Sequence, residues 1–334
     1  MVVKMKFFKT VLLLAVTVIM FSCKNENRFD IPESDLPDVK IHIKRYGKAL
    51  FEADTSNLKQ ELKKLQKQFP LFLNGDLDDT ANFNKLYRYV TDTQIIKVYH
   101  KTMEVFPGLK KQEKDLSNAF AHLKYYFPDY RIPGVYSYIS DIRFEQPVIK
   151  ADTLLIIALD DYLGKDCEFY PVFNIPRYKT RCMTPANIAV DVMKEVYSVD
   201  FFNGNKTRTV LDRMIERGKQ LYFLDMTMPR LPDTLKICYT AKQLEWMKNH
   251  KRDAWAALLE NKLLYSTRFE AIRELTEEGP FTKGFGNNSA PAIGTWFGWQ
   301  IVRTFMQKNK NISPRQLFRI HDAQKILEQS GYKP

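Results

Sequence analysis

A continuous apolar run at residues 153–159 constrains the fold more than any other stretch of this chain. After an initial threonine the run contains no polar residue, and a run of this length is typical of a strand covered on both faces. Thr184 and Pro185 later provide a hydroxyl cap and a proline at the first helical position, which favours a helix start there. The apolar residues that follow recur at helical spacing: Ile188, Ala189, Val192, Met193 and Val196. We therefore predict a buried strand and, after a loop, a helix with one buried face, whose Val192 and Met193 pack against the sheet that contains residues 153–159.

The remaining periodicities predict an α+β domain. Further strands are indicated by alternation at 39–43, by Pro133-Gly134 before residues 135–139, and by the apolar residues after Pro147. Short loops between these strands favour a small antiparallel or mixed sheet over a regular βαβ alternation. Helical spacing recurs on both sides of the sheet region, at 58–69, 83–89, 94–106, 110–127, 210–223, 241–248, 254–265, 293–307 and 323–329. The expected fold is mostly helical.

The N-terminus carries an export signal. Three lysines, Lys4, Lys6 and Lys9, precede an apolar core at 11–21 that is too short to span a membrane. Ser22-Cys23 then resembles a bacterial lipobox, in which Cys23 becomes the acylated first residue of the mature protein. The alternative is an ordinary cysteine after a conventional cleavage site. We predict a signal peptide at 1–22, a polar tether at 23–37 and one domain at 38–334.

The charge balance says little about partners. The formal net charge is +12, to which the signal contributes three. Basic residues are spread along the chain and mixed with acidic ones, which is typical of a solvated surface. For an exported protein we expect no nucleic-acid partner.

Three cysteines follow Cys23, and an odd number cannot all pair. Cys167 and Cys182 flank one loop and could form a disulfide in an oxidising envelope. Buried free thiols are the alternative. Cys238 is the third cysteine.

Motifs for familiar chemistry are missing from the sequence. No two of the five histidines lie within five residues of each other, so the chain has no HExxH zinc helix. It also has no CxxC pair, phosphate-binding P-loop or GxSxG elbow. Asp160-Asp161 could be an acid pair or a calcium site, but adjacent aspartates at a strand exit more often form a turn. We expect no cofactor and no metal.

Residues 294–300 combine two glycines four apart with Trp296 and Trp299. Such a helix permits close backbone approach and large aromatic contacts. Tight core packing is the favoured interpretation, and an aromatic partner surface is the alternative.

Several segments together resemble the gliding-motility lipoprotein GldB family of the Bacteroidota. They are residues 69–72, 122–128, 159–166, 262–267 and 294–303, which read FPLF, HLKYYFP, LDDYLGKD, KLLYST and GTWFGWQIVR. With the lipobox, the resemblance covers essentially the whole chain. It implies an envelope lipoprotein, expected at the outer membrane, which in gliding relatives supports surface motility and is associated with type IX secretion.

A weaker resemblance is to predicted zinc proteases that carry HExxH after a similar strand and Asp-x-Tyr-Leu-Gly exit. Superposing the helices puts the motif on residues 190–194, so Val190 and Lys194 stand where imidazoles would be and Asp191 replaces the glutamate. Neither valine nor a protonated lysine binds zinc. On this resemblance the fold is a degenerate zincin-like scaffold.

These observations leave three functional hypotheses. The leading one is a non-catalytic lipoprotein, attached to the membrane by its N-terminal lipid, that binds envelope protein partners. The second is a divergent hydrolase, acting on proteins or glycans, that uses carboxylates such as Asp160, Asp191 or Glu260. The third is a module that binds peptidoglycan or misfolded exported proteins.

Overall fold

A computed structural model describes residues 29–202 and 208–334. The chain divides into two units, Met1–Leu36 and Pro37–Pro334. The described part of the first unit contains a short 3₁₀ turn, Glu33–Asp35. The predicted signal and Cys23 lie outside the described residues. Within the described ranges, no helix has both the length and the apolarity needed to cross a membrane.

A four-stranded mixed sheet lies in the larger unit, and it confirms the predicted α+β class. The strands are β1 (Ile43–Arg45), β2 (Gly134–Tyr138), β3 (Val148–Ala151) and β4 (Leu154–Ala158). Their order is β1-β2-β4-β3. The first two neighbouring pairs are parallel, whereas β3 is an antiparallel edge strand. The predicted run at 153–159 forms β4 between two neighbours, which explains its lack of polar alternation.

The first strand is shorter than the alternation at 39–43 predicts. The backbone N–H of Ile41 donates to the Ser117 hydroxyl at 2.9 Å, and that of Ile43 donates to the Glu113 carboxylate at 3.0 Å. Helix side chains therefore satisfy this backbone where a strand partner would otherwise be needed.

Five helices lie between β1 and β2. They are α1 (Tyr46–Phe51), α2 (Leu58–Gln68), α3 (Thr80–Thr91), α4 (Thr93–Val105) and α5 (Lys110–Tyr126). Leu50 of α1 and Leu62 of α2 belong to one apolar cluster, to which Tyr136 of β2 and Leu154 of β4 also contribute. The predicted helices of this region are confirmed, and α1 is an addition.

The helix predicted after Thr184-Pro185 is present. Two short helices, α6 (Phe169–Val172) and α7 (Arg177–Thr180), lead to a 3₁₀ turn, Pro185–Asn187, and to α8 (Ile188–Val196). The Thr184 hydroxyl donates to the Asn187 side chain at 2.7 Å and makes no capping bond to a backbone N–H. On α8, Val192 and Met193 are fully buried, and the helix packs on β3 and β4 as predicted.

Seven helices complete the described chain. They are α9 (Val210–Thr227), α10 (Asp233–Ile237), α11 (Ala241–Glu260), α12 (Phe269–Thr276), α13 (Ile293–Lys308), α14 (Pro314–Arg319) and α15 (Ala323–Ser330). The prediction of separate helices at 241–248 and 254–265 is wrong, because α11 is continuous. The polar stretch at 249–253 contains neither glycine nor proline, so nothing in it ends a helix whose outer face is solvated.

The glycines of α13 allow it to touch α9. A Cβ placed on Gly298 would lie 1.8 Å from the Met214 carbonyl oxygen, and one placed on Gly218 would lie 2.3 Å from the Gly298 backbone. Trp296 is 6% exposed and Trp299 is fully buried. The packing interpretation is therefore confirmed. The partner-surface alternative for Trp296 and Trp299 is wrong, because both indoles are buried in the core.

A buried carboxylate explains how Trp299 is oriented. Asp225 of α9 accepts hydrogen bonds from the Trp299 indole at 2.8 Å, from Lys236 Nζ at 2.9 Å and from Arg303 Nε at 2.7 Å. The Arg303 guanidinium also lies 3.7 Å from the Trp299 ring centroid and binds both oxygens of Asp233 at 2.9 Å. Every charge in this network has a partner, as burial requires.

The disulfide differs from the predicted one. Cys182 pairs with Cys238, their Cα atoms being 6.1 Å apart, and Cys167 is a buried free thiol. The pairing of Cys167 with Cys182 is wrong. The tertiary fold brings the residue pair that follows α7 and α10 together, and sequence spacing does not predict this.

Candidate functional site

A cavity of about 330 Å³ lies beside α8. Its walls come from α8, α9, the end of α10, the residues around the start of α13, and residues 145–148 before the edge strand β3. This volume is at the lower end of the range of small-molecule sites. The cavity is thus formed by elements that are distant in sequence, and it is the candidate site.

One face of α8 lines the cavity. Asp191, Lys194 and Glu195 of α8 contribute to the wall at the spacing of one helical stripe, and Ser198, just after the end of α8, continues it. Val190 is not part of it, because its side chain is fully buried in the core. The superposition that assigns a vestigial ligand position to Val190 is therefore not supported. Two residues one helical turn apart do face the cavity. They are Asp191 and Glu195, each one position after the superposed pair Val190 and Lys194.

The Asp191 carboxylate is held at the cavity wall. The Tyr162 hydroxyl donates to Asp191 Oδ2 at 3.1 Å, and Lys194 Nζ lies 3.6 Å from Oδ1. Burial raises the pKa of Asp191, while the charge of Lys194 acts in the opposite direction. Tyr162 follows directly after the Asp160-Asp161 pair, so the strand exit and α8 are linked through this one hydrogen bond.

Glu195 connects the cavity wall to the sheet edge. Burial raises the pKa of Glu195, whereas the backbone and the charge of nearby Lys150 in β3 act in the opposite direction. The Lys150 ammonium is itself buried and binds Asp200 at 2.8 Å. Glu195 and Lys150 thus lie close together where α8 packs on β3.

Two arginines that the sequence analysis did not single out line the same cavity. Arg181 follows α7 and Arg217 lies on α9. Their side-chain hydrogen bonds go to glutamines: Arg181 donates to Gln243 at 2.9 Å and Arg217 to Gln220 at 3.3 Å. The Nε of each is buried without a partner. Burial lowers the pKa of both guanidiniums. No local motif marks them, since their proximity depends on packing.

The other carboxylates proposed from the sequence are elsewhere. Asp160 is fully buried and accepts hydrogen bonds from the backbone N–H groups of Ser140 and Ile142, at 2.9 and 2.8 Å. It therefore fastens the exit of β2 to that of β4, consistent with the turn interpretation. Glu260 is exposed at the end of α11 and is absent from the cavity wall. The structure does not bring Asp160, Asp191 and Glu260 together.

The cavity combines charged groups of both signs. None of the five histidines contributes to its wall. In the part of the chain that the structure describes, no three His, Cys, Asp or Glu side chains are grouped as metal ligands would be. The groups present are suited to binding a charged ligand through hydrogen bonds and ion pairs.

Comparison with known proteins identifies one family. No curated protein and no solved structure matches this chain. The family described as gliding motility protein GldB matches residues 26–334, which is nearly the whole chain and includes both α8 and the helices that enclose the cavity. The chain therefore belongs to the GldB family of gliding-motility lipoproteins.

Proposed function

We propose that this protein is a lipid-anchored, non-catalytic component of the cell envelope that acts by binding partners of the motility or type IX secretion machinery. The observation that carries the proposal is the family match over residues 26–334. The Ser22-Cys23 lipobox supports the anchor, and the outer membrane is the proposed location.

The charged groups of α8 also favour binding over catalysis. Asp191 has Tyr162 and Lys194 as partners, and Glu195 lies close to Lys150 of β3. A catalytic carboxylate needs access to a reacting group and a second residue in a complementary role. The partners of Asp191 and Glu195 are instead those of a fixed wall.

A hydrolase is the second candidate, and the raised pKa of Asp191 at a cavity wall is the observation that favours it. The full-length lipoprotein should be assayed in detergent against casein and against purified peptidoglycan. We expect no turnover. Turnover by the wild-type protein that is lost in Asp191→Asn, with Glu260→Gln as the control, would overturn the non-catalytic proposal.

Deleting the gene from its native host tests the biological role. In a gliding host, colony spreading should stop, and the amounts of secreted proteins should fall if the protein supports secretion. Crosslinking in living cells should then capture envelope proteins. Normal spreading together with a normal set of secreted proteins would contradict the role.

Lipid anchoring predicts how the protein fractionates. Acylation contributes roughly 0.8 kcal/mol per buried CH₂, and two or more chains anchor a protein stably. Cys23→Ser should therefore move the protein from the membrane fraction to the soluble fraction, as followed by immunoblotting. Cys167→Ser, which changes a thiol inside the domain, is the matched control and should stay with the membrane. A Cys23→Ser protein that resists a salt wash would show that something other than acylation holds it.

A further inference from the structure

The wall of the cavity beside α8 carries charges of both signs, and two of its arginines form no ion pair within the described residues. Lys236 at its wall is committed to Asp225, with Nζ and Oδ1 2.9 Å apart. Asp191 is committed to the groups described above. Arg181 and Arg217 differ from these residues, because no carboxylate of the described chain lies within 4.0 Å of either guanidinium.

Half-buried arginines without an acidic partner are costly to a fold. Removing a guanidinium from water is unfavourable unless hydrogen bonds and an opposite charge replace the solvent. Here each guanidinium has one side-chain hydrogen bond, to a neutral glutamine, and a buried Nε that donates to nothing in the described structure. Two such groups at one cavity wall lower the stability of the fold. The oxygens of a ligand bound in the cavity could replace the lost solvent and offset this desolvation.

The charge of one carboxylate influences both arginines. Glu278, which is exposed at the cavity wall, opposes the lowering of each pKa by burial, and Glu277 and Glu216 act in the same direction on Arg217. Within the described residues Glu278 forms no ion pair with Arg181 or Arg217. Each guanidinium is therefore near acidic side chains without forming an ion pair with them.

We propose that this cavity binds a small oxyanion-bearing ligand, a carboxylate or a phosphate, with Arg181 and Arg217 donating to its oxygens. The planar donor fork of arginine matches the geometry of both groups. A volume of about 330 Å³ admits a small molecule or a single chain end and excludes a folded domain. The site deepens the proposed binding function, on which it rests, by assigning it a ligand chemistry.

Titration calorimetry of the full-length lipoprotein in detergent tests the site. The buffer should contain little salt and no phosphate or carboxylate, and inorganic phosphate and succinate are the two probes. We expect saturable binding of at least one probe. Phosphate binding alone assigns the phosphate class, and succinate binding alone assigns the carboxylate class. Heat from neither probe would overturn the proposal.

Two substitutions should act in opposite directions. Arg217→Gln removes a charged donor and should weaken binding at least about tenfold. Glu278→Gln removes the competing carboxylate from an exposed position and should tighten binding a few-fold. Arg273→Gln, at an exposed arginine of α12 outside the cavity, is the control and should bind like the wild type. Arg181→Gln provides a second loss-of-charge variant if Arg217→Gln does not fold.

A purely structural role for these residues predicts a different pattern. Binding that is unchanged in both Arg217→Gln and Arg181→Gln would place the anion elsewhere and overturn the assignment. The envelope role is judged separately by colony spreading and secretion in the deletion strain. Failure of anion binding with a clear deletion phenotype would reject this site and leave the proposed function standing.

Discussion

At the scale of single residues, the burial of the Asp161 carboxyl is unusual because it is unfavourable for folding. It is 1% exposed, and neither carboxyl oxygen has a hydrogen-bond partner in the described structure. Burial, and then the charge of neighbouring Asp160, raises the pKa of Asp161 to about 8. Asp160 by contrast accepts hydrogen bonds from Ser140 and Ile142. The two adjacent carboxyls are thus both buried, but Asp160 is held by hydrogen bonds that Asp161 lacks.

The raised pKa of Asp161 predicts how stability depends on pH. An unfolded aspartate titrates near ~3.9, so between about pH 4 and pH 8 the folded state binds more protons than the unfolded state, and stability falls as pH rises. Asp161→Asn removes this dependence. The free energy of unfolding of Asp161→Asn minus that of the wild type should therefore increase by at least about 1 kcal/mol as the pH rises from about 5 to about 8. Urea denaturation at both pH values measures this. Asp166→Asn, at an exposed position nearby, should show no such trend, and a parallel shift in both variants would contradict the assignment.

At the scale of elements, the contact between α9 and α13 organises the C-terminal half. Gly218 and Gly298 let the two backbones meet, and Asp225 of α9 then reaches Trp299 and Arg303 of α13. The close approach places a charged network in the core, where a wider spacing would leave its donors unsatisfied. Because α9 also carries Arg217, this contact positions one wall of the cavity.

Gly298→Ala should therefore be severely destabilising. The added Cβ would lie 1.8 Å from the Met214 carbonyl oxygen, and a backbone atom cannot move aside as a side chain can. Separation of the helices should cost about 3 kcal/mol or more, measured by urea or thermal unfolding. Gly108→Ala is the matched control, because a Cβ there meets nothing within 4 Å, and it should change stability by less than about 1 kcal/mol. Equal stabilities of the two variants would refute the packing argument.

At the scale of the whole molecule, the Cys182–Cys238 disulfide joins the segment before α8 to the segment after α10. It spans a sequence separation of 56, and Arg181 and Cys238 both line the cavity. The bond therefore ties together two cavity walls that no secondary structure connects.

Loss of this disulfide should lower the stability of the whole domain. Closing a loop of this length removes unfolded-state entropy worth about 4 kcal/mol in the chain-entropy model. The thermal midpoint of the wild-type protein should fall when reductant is added. A Cys182→Ser, Cys238→Ser double variant should start from the lower midpoint and not respond to reductant. A wild-type midpoint that is insensitive to complete reduction would contradict this prediction.

Much of the fold was predictable because its signals are local. The run at 153–159 and the spacing of Val192 and Met193 report burial directly, since an element's periodicity reflects which face meets the core. The division of 241–260 into two helices failed for the complementary reason. A polar stretch indicates that a helix face is solvated, and it does not indicate that the helix ends there.

The candidate site was predictable only in part. Asp191 and Lys194 came from the helix that does line the cavity, whereas Val190 lies on its buried side. Val190 and Asp191 are adjacent in sequence, but one residue on a helix is about 100° of rotation, so their side chains face different surroundings. Arg181 and Arg217 were missed because isolated arginines are ordinary in sequence and become unusual only when burial removes their solvent.

The sequence by itself determined the α+β class, most helices and the family, because each depends on contiguous residues. The tertiary structure alone decided the partner of Cys182, the burial of Trp296 and Trp299, and the placement of two guanidiniums without an acidic partner at one cavity. These depend on contacts between residues tens of positions apart, and such contacts are set by how whole elements pack. Local periodicity carries no record of that packing.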